Sequence, residues 1–276
     1  MKRNIFAGLA AMALIALGLL VAPAGAQATT DVYVVHGLNL GGQTSQADGG
    51  TNVTVCANGG ELIPNFQFGE IVGPTALTSD TAVNVTVYLN ENIDCTAPGG
   101  ATELINQDVT PTGGAVALVA TSAGGDLALT AFPLDDACSA EGSGRLTAAH
   151  ASGDTGEVSV LVAGDPVGNL TFGNSLDADL PAADYPVQVD LGGTPVVGPA
   201  DIPVTAQSNT LVFVVGNIAG ATPTPVVPIV GADALETCPS TTTTAPATTA
   251  APPTTAPAAP SAPAPASGGA PLAITG

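Results

Sequence analysis

Glycine and proline punctuate short Val/Thr/Leu runs along nearly the whole chain, and that punctuation argues for strands and turns with almost no helix. The 276 residues include 34 Gly and 24 Pro, with no Trp and few other aromatics. Asn52-Val53-Thr54-Val55, residues 83–89 and residues 187–191 alternate apolar and polar side chains with period two, as half-buried strands do. Residues 115–120 and 211–215 are too apolar for a wetted face and read as central strands.

The same series of local features occurs twice. Tyr33-Val34-Val35-His36 matches Thr147-Ala148-Ala149-His150, and residues 53–59 match 158–164, each closing on a glycine. Asn65-Phe66-Gln67-Phe68-Gly69 then matches Asn169-Leu170-Thr171-Phe172-Gly173. Residues 83–89 correspond to 185–191, and 115–120 to 211–215. The order predicts two homologous domains, residues 29–138 and 144–236, each of a size suited to a small antiparallel sandwich. Residues 41–50 are an insertion in the first copy and read as a longer loop.

Lys2 and Arg3 precede an apolar run over residues 5–21 and a small-residue site, Ala24-Gly25-Ala26-Gln27-Ala28. This is the pattern of a secretory signal peptide, residues 1–28, cut after Ala26 or Ala28. The run is short for a membrane span, so no span is expected in the mature chain. Cleavage removes two of three basic residues and leaves Arg145 against 23 acidic side chains, a formal charge of 1 − 23 = −22. Such a surface repels nucleic acid and anionic lipid. The absence of lysine from the mature chain excludes Schiff-base chemistry, a phosphate-binding P-loop and Lys–Asn isopeptide crosslinks.

Cys56, Cys95, Cys138 and Cys238 show no metal-ligand spacing, and in an exported chain they read as two disulfides. Three pairings are open. The domain boundaries favour Cys56 with Cys95 inside the first repeat and Cys138 with Cys238 bracketing the second.

The paired motifs resemble the domain of unknown function 4397 family, whose members open on a V-V-H-A or R-V-x-H-A strand and continue through x-V-x-V-x-x-x-G and an F-G turn. The second copy fits more fully, with Arg145-Leu146-Thr147-Ala148-Ala149-His150-Ala151-Ser152, residues 158–164, Phe172-Gly173 and Asp184-Tyr185-Pro186-Val187-Gln188-Val189. The first copy departs from the pattern at Gly37, where Ala is usual, and has no Gly-Tyr pair before Val83. The resemblance implies an immunoglobulin-like β-sandwich on exported, cell-envelope proteins, and it carries over no catalytic residues or cofactors.

From residue 239 onward Thr, Ala, Pro and Ser dominate, a composition with nothing to bury, which predicts a disordered stalk over residues 239–276. It ends Leu272-Ala273-Ile274-Thr275-Gly276, similar to the L-A-x-T-G sorting signal of high-GC Gram-positive bacteria. A sortase would cleave between Thr275 and Gly276 and transfer the chain to a cell-wall amine. The membrane span and basic tail that normally follow are missing, so either the chain is truncated at Gly276 or the motif is vestigial and the protein is secreted.

His36 and His150 occupy equivalent positions and are expected to be structural. His150, Ser152 and Asp154 lie too close in sequence to form a triad, and no G-x-S-x-G elbow exists, so no catalytic residue is expected. Asp135-Asp136, Asp177, Asp179 and Asp184 read as solvated acidic loops, with weak Ca²⁺ binding as the alternative and no metal site assigned. Asn52, Asn84 and Asn169 head N-x-T triplets that strand composition also explains. The leading expectation is a non-enzymatic display or adhesion protein, wall-attached or secreted. The alternative is a soluble binder of a cation, glycan or cell-wall component.

Overall fold

A computed structural model describes residues 28–40, 51–217, 224–235 and 238. The signal peptide with Ala26, the 41–50 insertion, and the Thr/Ala/Pro segment with Leu272, Ala273, Ile274, Thr275 and Gly276 lie outside the described residues.

The described chain is all-β. The first eight strands are β1 (Thr29–Val35), β2 (Asn52–Ala57), β3 (Gly60–Gln67), β4 (Ile71–Thr78), β5 (Val83–Leu89), β6 (Glu103–Val109), β7 (Ala115–Ala123) and β8 (Asp126–Leu134). The next eight are β9 (Ser143–His150), β10 (Val158–Val162), β11 (Asp165–Leu170), β12 (Ser175–Pro181), β13 (Ala183–Leu191), β14 (Thr194–Val204), β15 (Ser208–Asn217) and β16 (Thr224–Ala234). They form four four-stranded sheets, in the orders β3-β2-β5-β6, β4-β1-β7-β8, β12-β9-β15-β16 and β11-β10-β13-β14. Each set of eight thus makes one sandwich-like unit, with the second repeating the strand order of the first. Pairing is antiparallel except for β1 with β7 and β9 with β15, which are parallel.

Three hydrophobic layers separate the four sheets. Val32, Val34, Val116 and Leu118 meet Val53, Val55, Val85 and Val87 in the first sandwich. Leu146, Ala148, Val212 and Val214 meet Val158, Val160, Val187 and Val189 in the second. Between these layers the opposite faces of β1, β7, β8, β9 and β15 pack on each other: Val35, Ala117, Val119 and Phe132 against Ala149, Leu211, Phe213 and Val215. The rings of Phe132 and Phe213 lie 6.0 Å apart, tilted edge to face. All the described residues fall in one compact unit.

This stacking explains the continuous apolar runs. Residues 115–120 and 211–215 are buried at every position because one face of each strand lines its own sandwich and the other lines the neighbouring one. It also explains Gly37. A Cβ there would lie 2.6 Å from the carbonyl oxygen of Ala120 and 3.0 Å from Val215 of the other sandwich. The usual alanine does not fit where the two inner sheets close on each other. Gly153 and Gly231 make similar approaches, to Ser122 and Ile71.

β2 departs from strict alternation. Thr54 is fully buried, with its hydroxyl 3.0 Å from the carbonyls of Pro64 and Asn90 and accepting from the Ile93 N–H at 3.1 Å. A polar residue enters the interior there because β3 and the connection from β5 to β6 supply its partners.

Disulfides join Cys56 to Cys95 (Cα–Cα 5.8 Å) and Cys138 to Cys238 (4.8 Å). The second ties the connection between the sandwiches to the residue before the Thr/Ala/Pro segment, and the Cys238 N–H donates to Ser139 O at 3.0 Å.

Candidate functional site

The described residues with the densest chemistry form a polar row along the face that β12, β9, β15 and β16 turn toward the first sandwich. Register sets Asp179 opposite Arg145, Arg145 opposite Asn209, and Asn209 opposite Asp233. Thr147 faces Asp177 in the same ladder. Because side chains alternate along a strand, these groups share one face while Leu146 and Ala148 point into the second sandwich.

Arg145 is 4% exposed. Its Nε donates to Asp179 Oδ1 at 2.9 Å, and its Nη1 lies 2.9 Å from Asp135 Oδ2 and donates to the carbonyls of Asp135 and Ala137 at 2.8 and 3.2 Å. Burial alone would lower the guanidinium pKa, but Asp179, Asp135 and Asp177 outweigh it and hold the group charged. The arginine therefore clamps the connection between β8 and β9 onto the second sandwich.

This corrects the expectation that the acidic residues lie on loops. Asp177 and Asp179 are on β12 and Asp184 is on β13; only Asp135-Asp136 follows a strand end. Edge strand β12 carries its carboxylates because β9 presents Arg145 and Thr147 to receive them. Among the described residues no group of three or more His, Cys, Asp or Glu side chains is arranged to hold a metal ion.

Burial of Arg145 makes a direct prediction. Beyond residue 3 the sequence has a single trypsin-type site, Arg145, and it lies inside a paired strand, so cleavage there tracks unfolding. When the chain opens, the two fragments stay joined through Cys138–Cys238 until reduced. Rapid cutting under native conditions, followed by electrophoresis with and without reductant, would contradict this placement.

Farther along the row the Thr147 hydroxyl bonds to the Asp177 carboxylate and lies 2.8 Å from Asn209 Oδ1. Asn209 Nδ2 is buried without a hydrogen-bond partner among the described residues. Tyr33, reaching across from β1, donates to Asp233. Burial, together with the Asp233 and Asp31 carboxylates, pushes the phenol above its ordinary pKa. Beside this contact a cleft of about 540 Å³ opens between the edge strands, lined by Tyr33, Glu70, Ile71, Gly73, Val230 and Ala232 among others.

The two histidines lie in different sandwiches. His36 Nε2 is 3.0 Å from Thr51 O, its ring sits beside Phe66 and Phe68, and Nδ1 has no partner among the described residues. His150 Nε2 is 2.7 Å from Gly156 O, and its Nδ1 accepts from the Ser152 N–H at 3.3 Å. Ser152 Oγ instead bonds Thr155 Oγ1 and donates to Gly216 O at 2.7 Å, while Asp154 accepts from the Gly124 N–H. His150, Ser152 and Asp154 do not form a nucleophile–base–acid relay.

Burial lowers the pKa of both imidazoles, that of His36 to about 4 from an ordinary value of 6.5. Between pH 6.5 and 4 the unfolded chain binds a proton that folded His36 refuses, so stability rises with pH across that window and is complete above 6.5. The depressed pKa corresponds to about 3 kcal/mol less stability below pH 4 than at pH 7. Denaturant unfolding of wild type and His36→Gln across this range should show the slope in the wild type and its reduction in the variant. Parallel curves would rule out a neutral buried His36.

Residues 44–161 match the family described as domain of unknown function DUF4397. The matched span runs from the segment before β2 through β9 into β10, so it crosses from the first sandwich into the second. It covers mostly the first set of strands, whereas the quoted motifs are fuller in the second. No curated protein matches the chain.

The site residues that sequence reasoning missed are Thr147, Asn209, Tyr33 and Asp233. Thr147 and Tyr33 stood inside repeat motifs and Asn209 borders an apolar run, but only pairing across four strands places them together. A polar residue adjoining a fully apolar strand was the one available signal.

Proposed function

We propose that the protein is an exported display module of the cell envelope, without catalytic activity, built from two copies of one domain and carried on a Thr/Ala/Pro stalk. The observation that carries this reading is the Cys138–Cys238 bond, which closes the folded unit at the residue preceding the stalk. A pull or a fraying event entering from the stalk therefore meets a covalent staple before it reaches β16. Stacked sheets, an oxidised cysteine set and a buried Arg145, the one basic side chain beyond residue 3, are features that suit exposure to proteases and to an oxidising exterior. The repeated strand order, with His36 and His150 at equivalent strand ends, supports a duplication of the family domain.

Fractionation of producing cells into medium, membrane and wall, with mass analysis of the C-terminal peptide before and after muramidase, tests the reading. A Thr275 terminus joined to wall material supports sortase attachment. A free Gly276 terminus in the medium favours the second reading, a secreted soluble binder, for which the cleft beside Tyr33 supplies the candidate surface.

A further inference from the structure

Thr147 on β9 and Asn209 on β15 bring a hydroxyl and a carboxamide into contact across the two central strands. Both are buried, at 1% and 0% exposure. Thr147 has one hydroxyl proton and two oxygen acceptors against it, Asp177 on one side and Asn209 Oδ1 at 2.8 Å on the other. With the proton given to the carboxylate, Oγ1 and Oδ1 face each other with no hydrogen between them. Asn209 Nδ2, meanwhile, has no partner among the described residues. Turning the amide over would satisfy Thr147 but leave Oδ1 stranded instead. A buried polar group left this way is costly, and native structures rarely keep one without a reason.

We propose that Thr147 and Asn209 react with each other to form an intramolecular ester. Oγ1 of Thr147 attacks Cγ of Asn209 while the Asp177 carboxylate takes the hydroxyl proton. The Cγ–Nδ2 bond then breaks, Asp177 returns the proton to the departing nitrogen, and one ammonia leaves. One C–O bond forms and one C–N bond breaks, and neither an oxidant nor an outside reactant is needed. The ladder already holds nucleophile and amide together, so the entropy of bringing them into contact is spent in folding. Asp177 is exposed, which gives ammonia a way out and makes the step irreversible in dilute solution. The crosslink removes the stranded donor and joins the two central strands of the second sandwich's inner sheet. In a mature chain without lysine, a hydroxyl is the nucleophile available for such a bond. The inference rests on this local geometry and does not depend on where the protein is displayed.

Intact-mass analysis of the folded mature protein is the test. The expected mass is lower than that of the two-disulfide chain by one ammonia. Digestion after reduction should yield a joined pair of peptides containing Thr147 and Asn209, separable by hydroxylamine. Thr147→Ser should retain the loss, Thr147→Val should abolish it, and Asp177→Asn should delay it, so that newly purified protein carries mostly the full mass. A wild-type mass with no ammonia lost after prolonged incubation overturns the proposal. So does a loss that persists in Thr147→Val and maps by peptide mass to Asn209 rather than to an N-terminal Gln27, which would mark a succinimide at Asn209. The joined peptide is read in wild type, so a variant that fails to fold leaves the test intact.

Discussion

Replacing Phe213 with alanine should cost about 3–5 kcal/mol of unfolding free energy, the range for removing a fully buried aromatic ring. The loss should also be felt in both sandwiches. Phe213 is 0% exposed and lies in the middle layer, against Phe132 of the first sandwich rather than in the core of its own. The central strands β1, β7, β9 and β15 have almost no wetted face, so separating the sandwiches would expose an apolar surface on each. Hydrogen exchange read by mass spectrometry should show β7 and β15 losing protection together, within a single denaturant transition. Two transitions, with β7 unaffected, would mean that the sandwiches fold independently and that their contact is incidental.

Removing the Cys138–Cys238 bond has a comparable effect by a different route. It closes a span of 100 residues, for which the chain-entropy model gives about 4.7 kcal/mol, acting on the unfolded state. Cys56–Cys95 closes 39 residues and by the same relation is worth about 4 kcal/mol. The Cys138→Ser/Cys238→Ser double variant should therefore have the lower denaturation midpoint of the two double variants. Its β16 should exchange first, since the staple beyond that strand is gone. A midpoint equal to that of the wild type, with β16 still protected, would show that the second disulfide adds nothing beyond the packing of Ile229 and Leu235.

The tie at Cys238 and the clamp at Arg145 act on the same segment. Residues 135–138 begin the connection from β8 to β9, and they are held at one end by the guanidinium and at the other by the disulfide. That fixed connection resists the hinge motion that a free linker between two sandwiches would otherwise allow.

Local pattern settled much of this architecture. Period-two alternation in residues 187–191, turn residues such as Asn58-Gly59, and the twice-occurring series of motifs define strands and their order, because strand geometry is a property of a few consecutive residues. Residues 115–120 and 211–215 declared that both of their faces were covered. What covered them was decided by tertiary structure: each inner sheet covers the other, a relation between residues about a hundred positions apart that no local period encodes. Gly37, which departs from the motif that the chain resembles, is required by that contact, since a methyl group would strike Ala120 and Val215. The polar row is likewise tertiary. Asp177 and Asp179 read as loop carboxylates because single-strand patterning does not reveal that a neighbouring edge will bring Arg145 and Thr147 beneath them. Composition and spacing determined that this chain is a β protein with a stapled, acidic exterior; the stacking of its two inner sheets decided which of its few polar side chains would be buried together.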